Sequence, residues 1–404
     1  MKWKRILKWS PLLILVFLFA WFQVAYWTST NDCGRSIPRG AERMKAIRYC
    51  EYGPPDVLKI EEIEKPVPKE DELLVRVRAA SLNFIDAGLV RGPSVLRLLS
   101  GLRKPKFTGF GQDFAGVVGA VGNSVTEFKR GDEVFGGKRG SVAEYVCVRK
   151  DRVALKPSNI TFEQAGAVKH AGLTALQGLK TGKIHAGQKV LINGASGGVG
   201  TFALQIAKAF DTEVTAVVST HNVETARKLG ADHVIDYTKE DFTMSDERYD
   251  LFFDNVNNHS MSERRRILKP DGICVLAGIG SAGPNQGQMG RIARTFGAAF
   301  LSRFTDHKFA RYITTWNQSD LKFLSDLIAE GKVTPFVEKT YHLAETAEAL
   351  RYFNEGHARG KLVITIDAEG SSAGQLTADQ YVLATDLCSA ETMRSVGQMR
   401  EVNR

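Results

Sequence analysis

The chain has 404 residues, of which 43% are hydrophobic and 25% are charged, and its formal net charge is +9. The length suits two domains with separate cores, and the ordinary apolar content excludes wholesale disorder and a protein with many membrane spans. Although the net charge is positive, most basic residues are scattered along the chain, which argues against a nucleic-acid partner.

The N-terminal segment combines a basic cluster with a long apolar run. No charged residue occurs from Trp9 to Trp27, and aromatic residues stand at both ends of the run. At about 1.5 Å per residue, a helix over this run would span roughly 28 Å, which matches the hydrocarbon core of a bilayer. We therefore predict one transmembrane helix, with residues 1–27 as a membrane anchor. A cleaved signal peptide and a buried core helix are the alternatives.

Three further features are read from composition and spacing. Residues 28–43 are polar and rich in turn formers, which predicts a linker. Residues 368–404 lack sustained helix or strand periodicity, which predicts a flexible tail. The cysteines lie far apart, are odd in number and include no C-x-x-C pair, which predicts reduced, unpaired thiols. They are Cys33, Cys50, Cys147, Cys274 and Cys388.

A glycine-rich turn between a strand and a helix is the strongest local signal. The strand at 190–192 leads into the turn, and a helix with apolar periodicity is predicted to begin near Gly198. This is the context of a dinucleotide-binding fingerprint, in which amide groups and the positive end of the helix face a pyrophosphate. A purely structural turn is the alternative. The predicted phosphate-binding residues are Ala195, Ser196, Gly197, Gly198, Val199 and Gly200.

Further strand-like runs follow this turn. They occupy 214–218, 233–235, 249–254 and 273–279, and helix-like intervals separate most of them, which predicts a doubly wound parallel sheet. The run at 214–218 ends without the carboxylate that usually binds the ribose of NAD, whereas Ser219, Thr220 and Asn222 could donate hydrogen bonds to a 2′-phosphate. The sequence therefore favours NADPH as the cofactor.

Short segments in both halves of the chain carry a family resemblance. They lie at 44–49, 53–58, 80–86, 111–118, 131–134, 171–177, 194–200, 230–237 and 360–364. From Met44 to about Asp367, the chain resembles the zinc-free quinone-oxidoreductase branch of the medium-chain dehydrogenase/reductase superfamily. The resemblance implies an α/β protein with a partly open, GroES-like β-barrel substrate domain and a Rossmann domain that binds NADP. The implied boundaries are 44–160 and 305–367 for the substrate domain, and 161–304 for the Rossmann domain.

The resemblance also concerns the ligands of a metal ion. Zinc-dependent relatives bind a catalytic ion through two cysteines and a histidine, with an acid nearby. In the corresponding places this chain carries Asn83, with Asp86 three residues on, Gln112 followed by Asp113, and His170. Amide side chains are poor ligands for zinc, which prefers thiolate and imidazole. We therefore predict no metal site.

The predicted site residues follow from the motifs and the resemblance together. Asn83, Asp86 and His170 are the catalytic candidates, although Asp86 could equally hold backbone hydrogen bonds and His170 could be a satisfied, non-catalytic histidine. By resemblance, Asn83 and Thr174 approach the cofactor in the cleft, Tyr237 its adenine-side phosphate, and Lys361 its phosphates. The other implied cofactor contacts are Asn255, Val256, Ala277, Gly278 and Ile279.

Together these features predict an enzyme. Without a Lewis acid, the oxidation of an alcohol loses its usual driver, whereas hydride transfer from NADPH to an electron-poor quinone or α,β-unsaturated carbonyl remains feasible. The alternatives are a membrane-tethered sensor or scaffold that binds NADPH without turnover, and alcohol dehydrogenase-like activity. We expect the body to face the cytoplasm, where a nicotinamide cofactor is present, and the resemblance implies a homodimer.

Overall fold

The structure is a computed structural model that describes residues 23–24, 26–27, 29–92, 97, 100–277, 308–356 and 358–366. Within these residues the chain forms a two-stranded ribbon, a six-stranded parallel sheet and a seven-stranded sheet. The predicted α/β class and the predicted parallel sheet are therefore present, and a separate, mainly antiparallel sheet accompanies them.

The seven-stranded sheet is the framework of the part that we call the β domain. Its central strand, β3 (Glu72–Ser81), alternates in burial, because Val75 and Val77 are buried whereas Arg76 is exposed. This alternation places one face of the strand against an apolar core. The other elements of the domain are β1 (Arg43–Tyr49), β2 (Leu58–Glu64), α1 (Phe84–Arg91), β4 (Asp113–Val121), β5 (Glu133–Gly137), β6 (Tyr145–Arg149), β7 (Val153–Leu155), α2 (Phe162–Gly166), β14 (Val337–His342), α8 (Thr346–Glu355) and β15 (Lys361–Thr365).

The six-stranded sheet belongs to what we call the nucleotide domain. Its strands are short apolar runs without alternation, and Val190, Leu191 and Ile192 are all fully buried, as expected for a parallel sheet covered by helices on both faces. The elements are α3 (Lys169–Thr181), β8 (Lys189–Asn193), α4 (Gly198–Ala209), β9 (Glu213–Val218), α5 (Val223–Lys228), β10 (His233–Asp236), β11 (Tyr249–Asp254), α6 (Met261–Arg266), β12 (Leu268–Leu276), β13 (Lys308–Arg311) and α7 (Gln318–Ala329).

The order of strands in this sheet locates the place where a ligand is expected. The order is β10-β9-β8-β11-β12-β13, so the chain leaves β8 in one direction and returns on its other side at β11. Open α/β sheets bind ligands at the carboxyl ends of the strands where the order reverses in this way. The glycine-rich turn follows β8 and therefore lies at that point.

The predicted transmembrane helix is wrong. Among the described residues, no helix is both long and apolar enough to cross a membrane. Helix α3 has 13 residues and spans about 20 Å, well short of a hydrocarbon core of about 30 Å. Most of the predicted anchor at 1–27 lies outside the described residues. The membrane as a partner and a membrane-anchored body facing the cytoplasm are corrected with it.

The prediction of unpaired thiols is also wrong at one pair of cysteines. Cys33 and Cys50 form a disulfide with a sequence separation of 17 residues. The bond fastens residues 29–34, here called the N-terminal strap, to the end of β1. Asn31 Nδ2 donates to the carbonyl oxygen of Cys50 at 2.9 Å, and Asp32 Oδ1 accepts from Arg48 Nη2 at 2.5 Å. Part of the predicted linker is therefore held against the β domain. The predicted tail at 368–404 lies outside the described residues.

Candidate active site

The glycine-rich turn contains glycines that the fold itself requires. Gly194 has a φ of 79°, which favours glycine. A Cβ atom placed on Gly200 would lie 2.1 Å from the carbonyl oxygen of Gly194, so helix α4 could not pack on the turn with any larger residue there. Glycine at position 200 is therefore explained by close packing between the helix and the turn.

Gly197 differs from its neighbours, because nothing nearby excludes a side chain. A Cβ atom placed there would lie 3.6 Å from the oxygen of Gly194, an ordinary contact. Gly197 is also the N-cap residue of α4, and no side chain among the described residues caps the helix. The start of the helix is therefore uncapped, and its positive dipole end favours an anion.

A buried network fixes the loop beside the turn. Asp254 ends β11 and is fully buried, and its Oδ2 accepts from Arg264 Nε at 2.9 Å. Its Oδ1 accepts from Asn193 Nδ2 at 3.0 Å and from two backbone N–H groups of the loop that follows. That loop carries Asn255 and Val256, which the network holds next to the glycine-rich turn at the carboxyl edge of the sheet.

The residues predicted to bind a 2′-phosphate lie at the carboxyl end of β9. Asn222 Nδ2 donates to Ser219 Oγ at 2.9 Å, so these two side chains hold each other in place. The hydroxyl of Thr220 instead donates to Asp236 Oδ2 at 2.6 Å. Tyr237 follows at the end of the neighbouring strand β10, and the residue is 59% exposed.

Asp236 is a carboxylate in this region that the sequence analysis missed. Its Oδ1 accepts from the backbone N–H of Thr238 at 3.1 Å and from the Thr238 hydroxyl at 2.7 Å, and Lys239 Nζ lies 3.3 Å from its Oδ2. The hydroxyl of Thr220 foremost, together with Thr238 and Lys239, holds the pKa of Asp236 far below its usual range. Its position could have been found by examining the end of β10 as well as that of β9.

The predicted catalytic residues Asn83 and Asp86 meet in a buried polar cluster at the border between the two domains, here called the cleft floor. The backbone N–H of Asn83 donates to Asp86 Oδ2 at 3.0 Å, and Gln112 Nε2 donates to Asp86 Oδ1 at 3.2 Å. The side chain of Asn83 donates through Nδ2 to Asp113 Oδ2 at 3.2 Å and accepts through Oδ1 from Lys361 Nζ at 2.6 Å. Both ends of the Asn83 amide are therefore engaged.

His170 joins this group through Asp113. The backbone N–H of His170 donates to Asp113 Oδ2 at 3.1 Å, and Lys169 Nζ lies 3.6 Å from Asp113 Oδ1. Burial lowers the pKa of the His170 ring to about 4, so the ring is neutral near neutral pH. Burial, helped by the charge of Asp113, raises the pKa of Asp86 to about 6. Burial would also raise the pKa of Asp113, but Lys169 and Lys361 outweigh it and the net shift is downward.

Of the remaining predicted cofactor contacts, Thr174 and Ala277 lie within the described residues. Thr174 is buried on α3, and its hydroxyl donates to the carbonyl oxygen of His170 at 2.7 Å, one turn earlier in the same helix. Ala277 follows β12, and its N–H donates to the carbonyl oxygen of Asp254 at 3.0 Å, which puts it at the same carboxyl edge. Gly278 and Ile279 lie outside the described residues.

The donor atoms of the cleft do not fit a zinc ion. The amides of Asn83 and Gln112 are taken up by neighbouring side chains, and the ammonium group of Lys361 already lies against the Asn83 oxygen. His170 alone offers an imidazole, and the carboxylates of Asp86 and Asp113 lie against amide donors and lysine ammonium groups. Elsewhere in the described part of the chain one group of donor atoms comes together, but it consists of the disulfide and a neighbouring glutamate.

Comparisons with known proteins agree with this architecture. Residues 69–158 match the family described as "Alcohol dehydrogenase GroES-like domain", and residues 229–364 match the family described as "Zinc-binding dehydrogenase". The two matches fall on the β domain and on the second half of the nucleotide domain with the strands that return to the β domain.

Individual relatives are similar over most of the chain. A chloroplastic "NADPH-dependent alkenal/one oxidoreductase" of Arabidopsis thaliana is 36% identical over 81% of this chain and 80% of its own length. A "2-methylene-furan-3-one reductase" of Solanum lycopersicum is 34% identical over 81% of this chain and 80% of its own length. Among solved structures, the quinone oxidoreductase from Coxiella burnetii has a TM-score of 0.69 and 30% identity, over 81% of this chain and 100% of that chain.

Proposed function

The chain belongs to the medium-chain dehydrogenase/reductase superfamily, and from this premise we propose that it is an NADPH-dependent reductase of quinones or α,β-unsaturated carbonyls. The relatives described above are named for the reduction of alkenals, enones and quinones, which supports this class of acceptor. The acceptor would bind in the cleft between the β domain and the nucleotide domain, and the reaction would use no metal ion.

One observation carries the proposal: there is room for a side chain at Gly197, at the uncapped start of helix α4. The fold requires glycine at Gly194 and Gly200 for steric reasons, but it does not require glycine at Gly197. A residue without a side chain at the uncapped start of α4 is explained by a pyrophosphate that approaches the backbone there. The turn is therefore a binding site rather than only a connection.

The adenosine end of the site supports NADPH over NADH. An NAD site needs a carboxylate that is free to accept hydrogen bonds from the ribose hydroxyls. Asp236 is the carboxylate nearest to Thr220 in this region, and both of its oxygens already accept from neighbouring threonines. Ser219 and Lys239 lie on the same edge and suit a phosphate, since the ammonium group of Lys239 is exposed although it pairs with Asp236.

The chain contributes positioning rather than covalent chemistry. When bound, NADPH would supply a hydride and water would supply the proton that completes the reduction, and an electron-poor acceptor needs no Lewis acid for this. Asn83 and the buried charges around it hold the cleft floor in one arrangement, and the loop after Asp254 holds the cofactor side. Holding two reactants in a reactive geometry accounts for most of the rate gain in such a reaction.

A matched pair of glycine substitutions tests the proposal. Gly197→Ala fits the free protein, yet its methyl group would occupy the place of the pyrophosphate, so we expect NADPH affinity to fall by at least about tenfold, equivalent to about 1.4 kcal/mol. In Gly119→Ala the added Cβ would likewise lie 3.6 Å from a backbone oxygen, but far from the turn, and NADPH affinity should not change. Fluorescence titration with NADPH measures both affinities.

Turnover is measured with the same proteins. The loss of NADPH absorbance is followed with a panel of quinones, enals and enones, and oxidation that depends on the acceptor is expected for the wild-type chain. Tight NADPH binding without such oxidation would contradict the enzyme and favour a sensor. Equal NADPH affinities of the wild-type and Gly197→Ala proteins would contradict the binding role of the turn.

A further inference from the structure

Lys361 has its ammonium group buried in the floor of the cleft. The residue is 3% exposed, and its Nζ donates to Asn83 Oδ1 at 2.6 Å and to the carbonyl oxygen of Leu82 at 3.0 Å. Asp113 Oδ2 lies 3.9 Å from the same nitrogen. Lys361 was predicted from family resemblance to contact the phosphates of the cofactor, but its charged end is directed to the side chains of the β domain.

The rest of Lys361 and the residue before it lie against the glycine-rich turn. The N–H of Gly360 donates to the carbonyl oxygen of Ser196 at 2.8 Å, and Gly360 forms a parallel bridge with Gly197. A Cβ atom placed on Gly198 would lie 2.9 Å from Cδ of Lys361. One side chain therefore contacts the first residue of helix α4 with its stem and the cleft floor with its charged end.

This contact determines which way the Asn83 amide points. An ammonium group has three donors and no acceptor, so Asn83 must turn its oxygen towards Lys361. The amide nitrogen then faces Asp113, which accepts from it at 3.2 Å. Without the ammonium group, the oxygen of Asn83 would lose its partner, and the buried carboxylate of Asp113 would lose one of its two nearby cations.

We propose that Lys361 is a positioning residue, which orients Asn83 and connects it to the glycine-rich turn, and that it is not a phosphate ligand. This inference rests on the proposed reductase function. It predicts that loss of the ammonium group slows the reaction of bound substrate while the affinity for NADPH is kept. A phosphate ligand would behave in the opposite way.

The first test is Lys361→Met, which keeps most of the stem and removes the charge. We expect kcat with an enone or quinone to fall by roughly 100-fold, because a displaced group in the cleft is costly for positioning, while the Kd for NADPH changes by less than about threefold. Lys339→Met is the matched control, because Lys339 lies on the adjacent strand β14 with an exposed side chain. Its kcat and Kd should equal those of the wild-type protein.

Two further variants separate positioning from a general loss of structure. If Lys361 acts through Asn83, then adding Lys361→Met to Asn83→Ala should lower kcat little further, whereas independent effects would multiply. Lys361→Arg keeps a positive charge and should recover part of the lost kcat. If the Lys361→Met variant does not fold, kcat and the Kd for NADPH are measured on Lys361→Arg instead.

The outcomes distinguish a failure of the proposed reductase function from a failure of the positioning role of Lys361. A wild-type protein that neither binds nor oxidises NADPH would overturn the proposed function. A wild-type enzyme whose Lys361 variants lose NADPH affinity but keep kcat would overturn only the positioning role and would restore Lys361 as a phosphate ligand. Multiplicative effects of Asn83→Ala and Lys361→Met would equally overturn it.

Discussion

The ion pair between Arg264 and Asp254 gives a prediction whose size follows from burial. The side chain of Arg264 is 6% exposed and that of Asp254 is fully buried, with 2.9 Å between Nη2 and Oδ2. Removing one partner of a buried pair leaves the other charge unbalanced, which costs about 3 to 5 kcal/mol. Asp254 keeps one side-chain and two backbone donors, so we expect Arg264→Met to lower the free energy of unfolding by about 3 kcal/mol, the lower end of that range.

Urea titration followed by tryptophan fluorescence measures this change. Arg266→Met, two residues later on the same helix and exposed, is the control and should change the free energy of unfolding by less than about 0.5 kcal/mol. Combining Arg264→Met with Asp254→Asn removes both charges and should recover part of the stability. A cost for Arg264→Met no larger than that of the control would refute the reasoning, as would a double variant less stable than the single one.

Two further predictions concern the disulfide and pH. Replacing Cys33 and Cys50 by serine should lower the free energy of unfolding by about 3 kcal/mol, since a cross-link with a separation of 17 residues restricts the unfolded chain. The control is Cys147→Ser, which removes a free thiol and should cost clearly less in the same urea titrations. Equal losses in the two variants would contradict the prediction. The pKa of Asp86 is about 6 in the folded chain and near 4 when unfolded, so the folded state keeps a proton that the unfolded state releases. The stability from this proton is present below about pH 4 and is lost as the pH rises through about 6. Urea titrations across this window should therefore show a decline in the free energy of unfolding, and the decline should be smaller for Asp86→Asn. Identical pH profiles of the wild-type and Asp86→Asn proteins would contradict this prediction.

The parts of the site that could be predicted are those set by short stretches of sequence. The strand before the glycine-rich turn and the helix after it depend on neighbouring residues, and the structure has both. The contact between Asn83 and Asp86, both named as catalytic candidates, is likewise local, because Asp86 is the third residue of the helix that Asn83 caps. Local pattern was sufficient for these features.

The parts that could not be predicted depend on contacts between distant residues. Asp236 reaches Thr220 only because β10 pairs with β9, and Lys361 reaches Asn83 only because β15 pairs with β3. The disulfide has no spacing signal, since Cys33 meets Cys50 through the path of the strap. The predicted membrane helix rested on the length, the apolar composition and the flanking residues of one run, without any tertiary contact to test it.

The N-terminal strap also bears on how the protein can be shortened. A chain that began at Met44, the start of the family resemblance, would lack Cys33 and leave Cys50 as an unpaired thiol close to Glu61. It would also lack Asp32, so that the nearly buried guanidinium of Arg48 would have to rely on Glu61 and Thr108 alone. Expression of a trimmed enzyme should therefore begin no later than Ser29, and a variant trimmed further would report on a weakened β domain rather than on the native one.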